Sequence, residues 1–186
     1  MTPEADDPHV TDCYLRLTGV LLVGGASERF GSPKALARFR GETLAERTHR
    51  LLVEACDEVL VVGKAHELSG LPLDVVDDGT DERAPVFGLI AGLRRARYET
   101  VVALPVDVPL ITSEALRALG EARAVPSPRV PLPGAYPRAL LPVLESRAAA
   151  GELSLRGVNP TTLEIAAAQL VDVDTPAALA ALERLA

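Results

Sequence analysis

Cysteine and histidine are scarce in this sequence of 186 residues. Cysteine occurs only at Cys13 and Cys56, which is too few for a disulfide framework or a cysteine-rich metal cluster. The three histidines, His9, His49 and His66, have no spacing typical of metal ligands, so we interpret each as a surface residue rather than a catalyst. The sequence also offers no convincing Ser-His or Cys-His arrangement, which argues against a covalent enzyme intermediate. Cys56, at the end of a helical pattern, is expected to be a buried apolar residue.

Long apolar runs and an excess of basic residues are also absent. No stretch approaches the roughly 20 apolar residues that a membrane-spanning helix needs. The net charge of −7 and the pI near 5.0 argue against a general binder of nucleic acids or anionic membranes. The segment 1–14 is polar and acidic, so we expect a short disordered lead-in rather than a signal peptide, and a cytoplasmic location. Residues 15–186 are then expected to form a single domain with a sizeable core.

Apolar runs without alternation recur along the chain, and such runs are typical of buried strands. They are Val20–Val23, Glu58–Val62, Asp74–Val76, Val101–Leu104 and Gln169–Val173. Segments with helical spacing lie between most of them, namely Leu44–Ala55, Gly88–Arg95, Ser113–Ala122 and a last helix from Pro176. The Pro-rich segment 126–142 predicts a loop with a short strand. The alternation predicts an α/β fold, a three-layer α/β/α sandwich with a mostly parallel, Rossmann-like sheet, which binds ligands at the carboxyl ends of its strands.

The most informative part of the sequence runs from Leu21 to Leu36. There an apolar run passes abruptly into a loop with glycines, a hydroxyl and two cations, which are Gly24, Gly25, Ser27, Arg29, Gly31 and Lys34. Glycine lets the backbone come close to an anion, and successive N–H groups in such a loop form an anion-binding nest. Arg29 and Lys34 add the full positive charges that backbone groups lack. The pattern therefore predicts a phosphate-binding loop.

This loop differs from the commonest phosphate-binding motifs. A Walker A loop has its lysine directly after a glycine, whereas a Ser-Pro pair separates Gly31 from Lys34. The glycine spacing also departs from the dinucleotide-binding fingerprint. Of the 19 Lys and Arg residues only Lys34 and Lys64 are lysines. A compact, rotatable ammonium suits a phosphate clamp that must adapt as pyrophosphate leaves.

Together with Leu22, the loop matches the pattern Leu-x-Gly-Gly-x-Ser-x-Arg-x-Gly-x-x-Lys at every fixed position. In this signature the chain resembles the molybdenum cofactor guanylyltransferases, a family with the fold of nucleotide-diphospho-sugar transferases. The resemblance spans about residues 19–182. It implies that Arg29, Lys34 and Asp107 are catalytic. It also implies a nucleotide site formed by Leu22, Val23, Gly24, Gly25, Ser27, Lys34, Asp78 and Asp107.

Two aspartates of this set follow later strands. Asp107 resembles the aspartate of the family's Asp-Met-Pro segment, which holds Mg²⁺, although Val108 replaces the methionine. One carboxylate together with phosphate oxygens suffices for Mg²⁺. Asp78 resembles an aspartate that contacts the nucleotide, but Asp77 and Asp78 before a glycine are also ordinary turn residues.

Two weaker similarities concern the loops between these motifs. Pro85 and Gly88 match the family's Gly-Pro-Leu-Ala-Gly-Ile, whereas Phe87 is bulky where the family has a small residue, which predicts a reshaped base pocket. The segment Pro131–Pro137 resembles one that lines the acceptor side in relatives. Both segments are equally consistent with ordinary loops.

The resemblance implies an enzyme that transfers GMP from GTP to the phosphate of molybdopterin, with Mg²⁺ as its cofactor. Its partners would be GTP, molybdopterin and other proteins of cofactor assembly. Asp172 and Asp174 replace the asparagines of the family's Asn-x-Asn-Thr-Pro, as in related cytidylyltransferases, whereas Gly24 favours guanine. A cytidylyltransferase or a sugar- or lactyl-phosphate nucleotidyltransferase is therefore the alternative, and a non-catalytic nucleotide-binding assembly protein is a remoter one. The sequence leaves open whether Asp172 or Asp174 contributes to binding of the metal or of the acceptor.

Overall fold

A central sheet with helices on both faces forms the fold of the described residues, which are 15–24, 30, 33–68 and 70–184 of a computed structural model. The strands are β1 (Leu17–Leu22), β2 (Arg38–Phe39), β3 (Glu42–Thr43), β4 (Glu58–Gly63), β5 (Val75–Asp77), β6 (Thr100–Pro105) and β7 (Gly134–Pro137). The α-helices are α1 (Leu44–Ala55), α2 (Pro85–Arg95), α3 (Ser113–Ala122), α4 (Leu141–Ala149) and α5 (Pro176–Arg184). The sheet order is β5-β4-β1-β6-β7, and β7 alone among these five strands is antiparallel to its neighbour. Strands β2 and β3 form a separate hairpin.

The central strand β1 explains the three layers. Its side chains are all buried, as expected for a strand covered on both faces, and they alternate between two apolar clusters. Leu17 and Leu21 pack in the cluster that contains the inner faces of α1, α3 and α5. Val20 and Leu22 pack in the cluster that contains the inner faces of α2 and α4. The predicted α/β/α sandwich with a mostly parallel sheet is therefore confirmed.

Helix α1 begins where its capping residues require. The Thr43 hydroxyl accepts a hydrogen bond from the Glu46 N–H at 3.1 Å, and a Glu46 carboxylate oxygen accepts one from the Thr43 N–H at 2.8 Å. This reciprocal capping box satisfies two of the backbone donors that a helix N-terminus leaves unpaired. The bounds of α1 and α3 agree with those that the sequence predicted.

Helix α2 lies close to β1 because small residues face the strand. A Cβ atom on Gly88 would lie 2.8 Å from a methyl carbon of Leu22, and one on Gly92 would lie 2.7 Å from a methyl carbon of Val20. Gly88 therefore serves the packing of helix on sheet. The helix begins at Pro85, three residues before the predicted start at Gly88, because proline suits the first helical position.

The predicted strand Gln169–Val173 is wrong. The chain instead forms a short 3₁₀ helix, Ala167–Leu170, and then runs extended into α5. The far side of β6 is already occupied by β7, so the apolar run has no strand position beside it. Its last residue, Val173, is buried and its N–H donates to the Asp107 carbonyl at 2.8 Å.

The segment 126–142 contains a short strand, as predicted, which is β7. The sequence reading missed the β2–β3 hairpin and helix α4. Each strand of the hairpin has two residues, which is too short for a periodic pattern. Helix α4 follows a 3₁₀ turn and has no side-chain cap at its N-terminus, so the usual start signal is missing. Among the described helices, none has the length and apolar character that crossing a membrane requires.

The described cysteine and histidines are Cys56, His49 and His66, because Cys13 and His9 lie outside the described residues. Cys56 is half-buried rather than fully buried as expected, and burial raises the pKa of its thiol to about 12, which suits an apolar role. His66 is exposed, as expected. His49 is half-buried rather than on the surface, and burial lowers its pKa.

Candidate active site

The candidate site lies at the carboxyl edge of the sheet, where four neighbouring parallel strands end. Strand β1 is followed by Gly24, β4 by Lys64, β5 by Asp78 and β6 by Asp107. The register places these ends side by side, because Leu22 at the end of β1 lies opposite residues close to the ends of both β4 and β6. Chemically active residues thus converge at one edge, as is usual in open parallel sheets.

The first residues of the predicted phosphate loop continue the direction of β1. The Val23 N–H donates to the Val62 carbonyl at 3.0 Å, so the backbone stays paired for one residue beyond the strand. Gly24 then passes close to β4, since a Cβ atom on Gly24 would lie 3.3 Å from the Cα of Gly63. The side chains of Leu22 and Val23 are buried, which leaves only their backbone groups for a ligand.

Several residues of the predicted loop lie outside the described residues. They are Gly25, Ser27, Arg29 and Gly31. Their predicted contacts with phosphate therefore stay predictions. The chain is described again at Phe30 and from Pro33, where a 3₁₀ helix, Lys34–Leu36, begins.

Lys34 and Asp107, which are 73 positions apart in the chain, lie together at this edge. The Lys34 ammonium donates to Asp107 Oδ2 at 3.3 Å and to Asp174 Oδ1 at 3.0 Å. Lys34 also lies against the aromatic ring of Phe30, with its Nζ 5.7 Å from the ring centroid. The exposed fractions of the side chains are 13% for Lys34, 28% for Asp107 and 57% for Asp174. The arrangement is therefore a cation held between a mostly buried carboxylate and an open one.

Opposing effects act on Asp107. Burial raises the pKa of the Asp107 carboxyl, and the charge and hydrogen bond of Lys34 oppose this shift. The negative charges of Asp174 and Asp172 raise the pKa of Asp107 further. A further positive charge nearby would stabilise the ionised form of this carboxylate, so the surroundings of Asp107 favour the binding of a cation.

Asp78 lies on the other side of β1, after the edge strand β5, and it is paired with Lys64. The Lys64 ammonium donates to Asp78 Oδ1 at 2.7 Å and also to the Thr80 carbonyl. Both charged side chains are buried, with 5% of Lys64 and 7% of Asp78 exposed. The Asp78 carboxylate is thus paired with Lys64 and held in place by it, and the motifs did not identify this lysine. The scarcity of lysine is the signal that could have found it.

The structure shows where the two weaker sequence similarities lie, and the reshaped base pocket at Phe87 stays a prediction. Phe87 is half-buried in the first turn of α2. Tyr136 is fully buried on β7, and its hydroxyl donates to the Pro131 carbonyl at 2.8 Å. Burial also raises the pKa of the Tyr136 hydroxyl above its ordinary range. Tyr136 therefore supports its own loop and offers no free group to an acceptor.

The edge is able to hold a polyanion beside a cation. Lys34 supplies positive charge there, and Asp107 supplies a carboxylate at the end of β6. Within the described part of the chain, no three His, Cys, Asp or Glu side chains form a metal-binding group. Asp107 therefore fits a cation that takes most of its ligands from phosphate and water.

Comparisons with known proteins agree with this description. The family described as the MobA-like NTP transferase domain matches residues 19–161. A molybdenum cofactor guanylyltransferase of Pseudomonas syringae pv. syringae (strain B728a) is 33% identical over 180 residues, which cover 86% of this chain and 90% of that protein. A probable molybdenum cofactor guanylyltransferase of Chloroflexus aggregans (strain MD-66 / DSM 9485) is 33% identical over 135 residues, which cover 70% of this chain and 65% of that protein.

A solved structure is also similar. It is the crystal structure of molybdopterin-guanine dinucleotide biosynthesis protein A from Archaeoglobus fulgidus, with a TM-score of 0.75. The match covers 90% of this chain and 97% of that one at 20% sequence identity. At this level of identity the similarity shows a common fold.

Proposed function

Since the chain belongs to the MobA-like NTP transferase family and is therefore a nucleotidyltransferase, we propose that it transfers GMP from GTP to the terminal phosphate of molybdopterin. Pyrophosphate is the second product. The observation that carries the proposal is the contact of Lys34 with Asp107 beside the end of β1. The names of the relatives, as molybdenum cofactor guanylyltransferases, support the choice of GTP and molybdopterin.

Asp107 is the residue that would hold Mg²⁺. Its carboxylate stands at the end of β6, is partly accessible to solvent and lies beside the cation that would contact the phosphates. Mg²⁺ favours few carboxylates together with phosphate and water oxygens, so the donor set fits. When bound, Mg²⁺ would supply positive charge against the negative charge of the phosphates.

The proposed reaction is a single in-line displacement at the α-phosphorus of GTP. An oxygen of the molybdopterin phosphate forms a new bond to this phosphorus, and the bond from it to the β-phosphate oxygen breaks. Pyrophosphate carries away the electron pair of the broken bond. No covalent enzyme intermediate is formed, which agrees with the absence of a nucleophile–base pair in the sequence. Such reactions depend on positioning and charge neutralisation more than on protein nucleophiles.

The residues of the chain divide these tasks. The loop amides from Gly24 onward and the Lys34 ammonium would neutralise the triphosphate and then the departing pyrophosphate. Arg29 would add a second cation. Asp78, fixed by Lys64, would contact the nucleoside on the far side of β1. The order of strands supports this division, since Asp78 and Asp107 follow strands on opposite sides of β1.

A cytidylyltransferase is the second candidate, and one observation favours it. Asp174, which replaces an asparagine of the guanylyl pattern, contacts Lys34 directly. Gly24 favours guanine instead, because the resemblance to the guanylyltransferases implies a place for it on the base side of the nucleotide. The two readings differ in the nucleotide that the enzyme consumes.

The test is pyrophosphate release with GTP, CTP or ATP, in the presence of Mg²⁺, with and without molybdopterin. We expect release with GTP and molybdopterin together. The Asp107→Asn variant, purified in the same way, is the control for contaminating enzymes. Release with CTP in place of GTP would establish the cytidylyl reading. If no nucleotide is consumed although GTP raises the melting temperature, then GTP is the nucleotide that binds and molybdopterin is not the acceptor.

A further inference from the structure

Helix α1 is hydrogen-bonded to both sides of the candidate site through its first residues. Its first residue, Leu44, donates its N–H to the Ala37 carbonyl at 2.8 Å. Ala37 in turn donates its N–H to the Lys34 carbonyl at 3.0 Å, which ties the helix to the 3₁₀ helix that contains this lysine. Three residues after Leu44, the Nε of Arg47 donates to the Pro109 carbonyl at 2.7 Å. One helix therefore binds the backbone on both sides of the site.

The Arg47 contact lies close to the carboxylate at the end of β6. Pro109 is a buried residue two positions after Asp107, and Arg47 supplies a donor for its carbonyl. The Asp107 carbonyl itself accepts from the Val173 N–H at 2.8 Å. The short segment that begins at Asp107 is therefore held at two backbone carbonyls, by donors from two distant parts of the chain.

The Arg47 side chain is itself fixed in place. Its Nη1 donates to Glu42 Oε1 at 3.0 Å, and its guanidinium carbon lies 5.3 Å from the ring centroid of the fully buried Phe39. Only 17% of the side chain is exposed. The planar guanidinium thus bonds Glu42 and Pro109 at once, which a single point charge does less well. The proposed reaction gives this guanidinium no contact with a substrate, so any part it takes is through Pro109.

We propose that Arg47 is a positioning residue, which holds the Asp107 carboxylate at the distance from the Lys34 ammonium that binding a cation together with the triphosphate requires. The inference rests on the proposed function, because that function assigns Asp107 to the cation and Lys34 to the phosphates. The two side chains come from segments that are 73 positions apart in the chain. Helix α1 sets their spacing because it is bound to both segments and is more rigid than either loop.

This role predicts weaker binding of the cation without weaker binding of the nucleotide alone. Arg47→Met removes the donor to Pro109 and keeps a long apolar side chain against Phe39. The apparent Kd for Mn²⁺, measured by EPR with a non-hydrolysable GTP analogue bound, should rise about tenfold, because a residue that orients a metal ligand is lost. Mn²⁺ replaces Mg²⁺ as the probe because both prefer oxygen ligands in octahedral geometry.

The nucleotide alone gives the comparison that separates positioning from general damage. Without a divalent cation, the Kd of Arg47→Met for the GTP analogue should stay within about twofold of the wild type, because Lys34 is retained as a phosphate ligand. A general structural defect would weaken the binding of both the nucleotide and the cation.

Arg50→Met is the matched control. Arg50 lies three residues after Arg47 on α1, and its guanidinium donates to Glu42 at 2.9 Å and to Glu54 at 3.2 Å. The variant therefore removes the same chemical group from the same helix and from the same partner, Glu42, but leaves the bond to Pro109 in place. We expect both Kd values to stay within about twofold of the wild type, because exposed ion pairs contribute little.

Arg47→Lys tests the proposal even if Arg47→Met does not fold. It keeps a positive charge for Glu42, whereas its ammonium lacks the planar fork that bonds Glu42 and Pro109 together. The Kd for Mn²⁺ should rise less than in Arg47→Met, by about threefold. Thermal melting checks that each variant is folded.

A second readout needs neither nucleotide nor cation. Because the chain has two lysines, ¹³C,¹⁵N-lysine labelling gives two ε-methylene NMR signals, which Lys34→Arg assigns. The Lys34 signal should move in Arg47→Met and Arg47→Lys, because Asp107 shifts relative to the ammonium, whereas the Lys64 signal should stay unchanged. Both signals should stay unchanged in Arg50→Met.

Either of two results would overturn the proposal. One is an unchanged Lys34 signal together with a Kd for Mn²⁺ within about twofold of the wild type in the folded Arg47 variants. The other is an equal rise of this Kd in Arg50→Met. If the wild type binds no nucleotide at all, the proposed function fails, and the lysine signals still decide whether Arg47 sets the spacing of Lys34 and Asp107.

Discussion

Charge and burial oppose each other at Asp107. Burial raises the pKa of its carboxyl, and Lys34 supplies the positive charge that opposes the shift. The ionised form of Asp107 is thus disfavoured by its surroundings and favoured by its neighbour. Such residues are common at sites of chemistry, where a group is kept for function at a cost in stability.

Replacing Asp107 should separate function from stability. Asp107→Asn is expected to lower pyrophosphate release at least about 100-fold, because it removes the carboxylate for the cation. The melting temperature should stay the same or rise, since a buried charge is removed. Glu121→Gln, an exposed change on α3, is the control for both measurements. Wild-type turnover in Asp107→Asn would exclude this residue from the site.

Removing Lys34 should act on stability in the opposite direction. Lys34→Ala leaves the carboxylates of Asp107 and Asp174 without their shared cation, so the melting temperature should fall. The loss of a preorganised charge should lower kcat/KM about 100-fold, which corresponds to ~3 kcal/mol of lost transition-state stabilisation. Lys34→Arg keeps the charge and should recover only part of kcat/KM, because the guanidinium is planar and rigid. Steady-state kinetics and thermal melting test this, and an unaffected kcat/KM would contradict it.

The Lys64–Asp78 pair joins two elements, since Lys64 follows β4 and Asp78 follows β5. Both side chains are buried, so each charge would be costly to bury without the opposite charge of its partner. Lys64 also donates to the Thr80 carbonyl and so fixes the turn after β5. The pair therefore joins the ends of β4 and β5 to each other.

A double-mutant cycle tests this connection. Lys64→Met alone should lower the free energy of unfolding by about 3 kcal/mol, because it leaves a buried carboxylate unpaired. Lys64→Met with Asp78→Asn should cost much less than the sum of the two single changes. The exposed pair Arg94–Glu145 is the control and should couple by less than about 1 kcal/mol in the same urea titrations. Additive effects at Lys64 and Asp78 would contradict the account.

Elements with strong local signals were predicted from the sequence, and elements defined by their neighbours were not. Helix α1 has a capping box and a regular apolar face, so both of its ends follow from the sequence. The run Gln169–Val173 has the apolar character of a strand, but periodicity cannot tell whether a neighbouring strand position is vacant. The pairing of β7 with β6 decides this, and it is a long-range contact.

The site shows the same division. The Gly-rich loop and Asp107 are local motifs, so the meeting of Lys34 with Asp107 follows once the strands are parallel. Lys64 and the contact of Asp174 with Lys34 depend on side chains that approach from distant parts of the chain. No short pattern in the sequence encodes such contacts.

At the scale of the whole molecule, pH should affect stability through His49. Burial lowers the pKa of His49 in the folded chain below its ordinary value of 6.5. The unfolded chain then binds a proton more readily, so the stabilising contribution is present above pH 6.5 and is lost as the pH falls below that value. His49→Gln should flatten the fall of the unfolding free energy between about pH 7 and pH 5.5, measured by urea denaturation. His66→Gln, which changes an exposed histidine, is the control variant. An unchanged slope in His49→Gln would contradict the prediction.

The hydrogen bond from Val173 to Asp107 has a consequence for the synthesis of the protein. A ribosome makes the predicted phosphate-binding loop and all five strands of the sheet before it reaches residue 173. All five strands of the sheet are therefore present in the chain while Lys34 still lacks Asp174 as a partner. These contacts form only when Val173 reaches Asp107 and Asp174 reaches Lys34, so a chain released before that point would lack both of them.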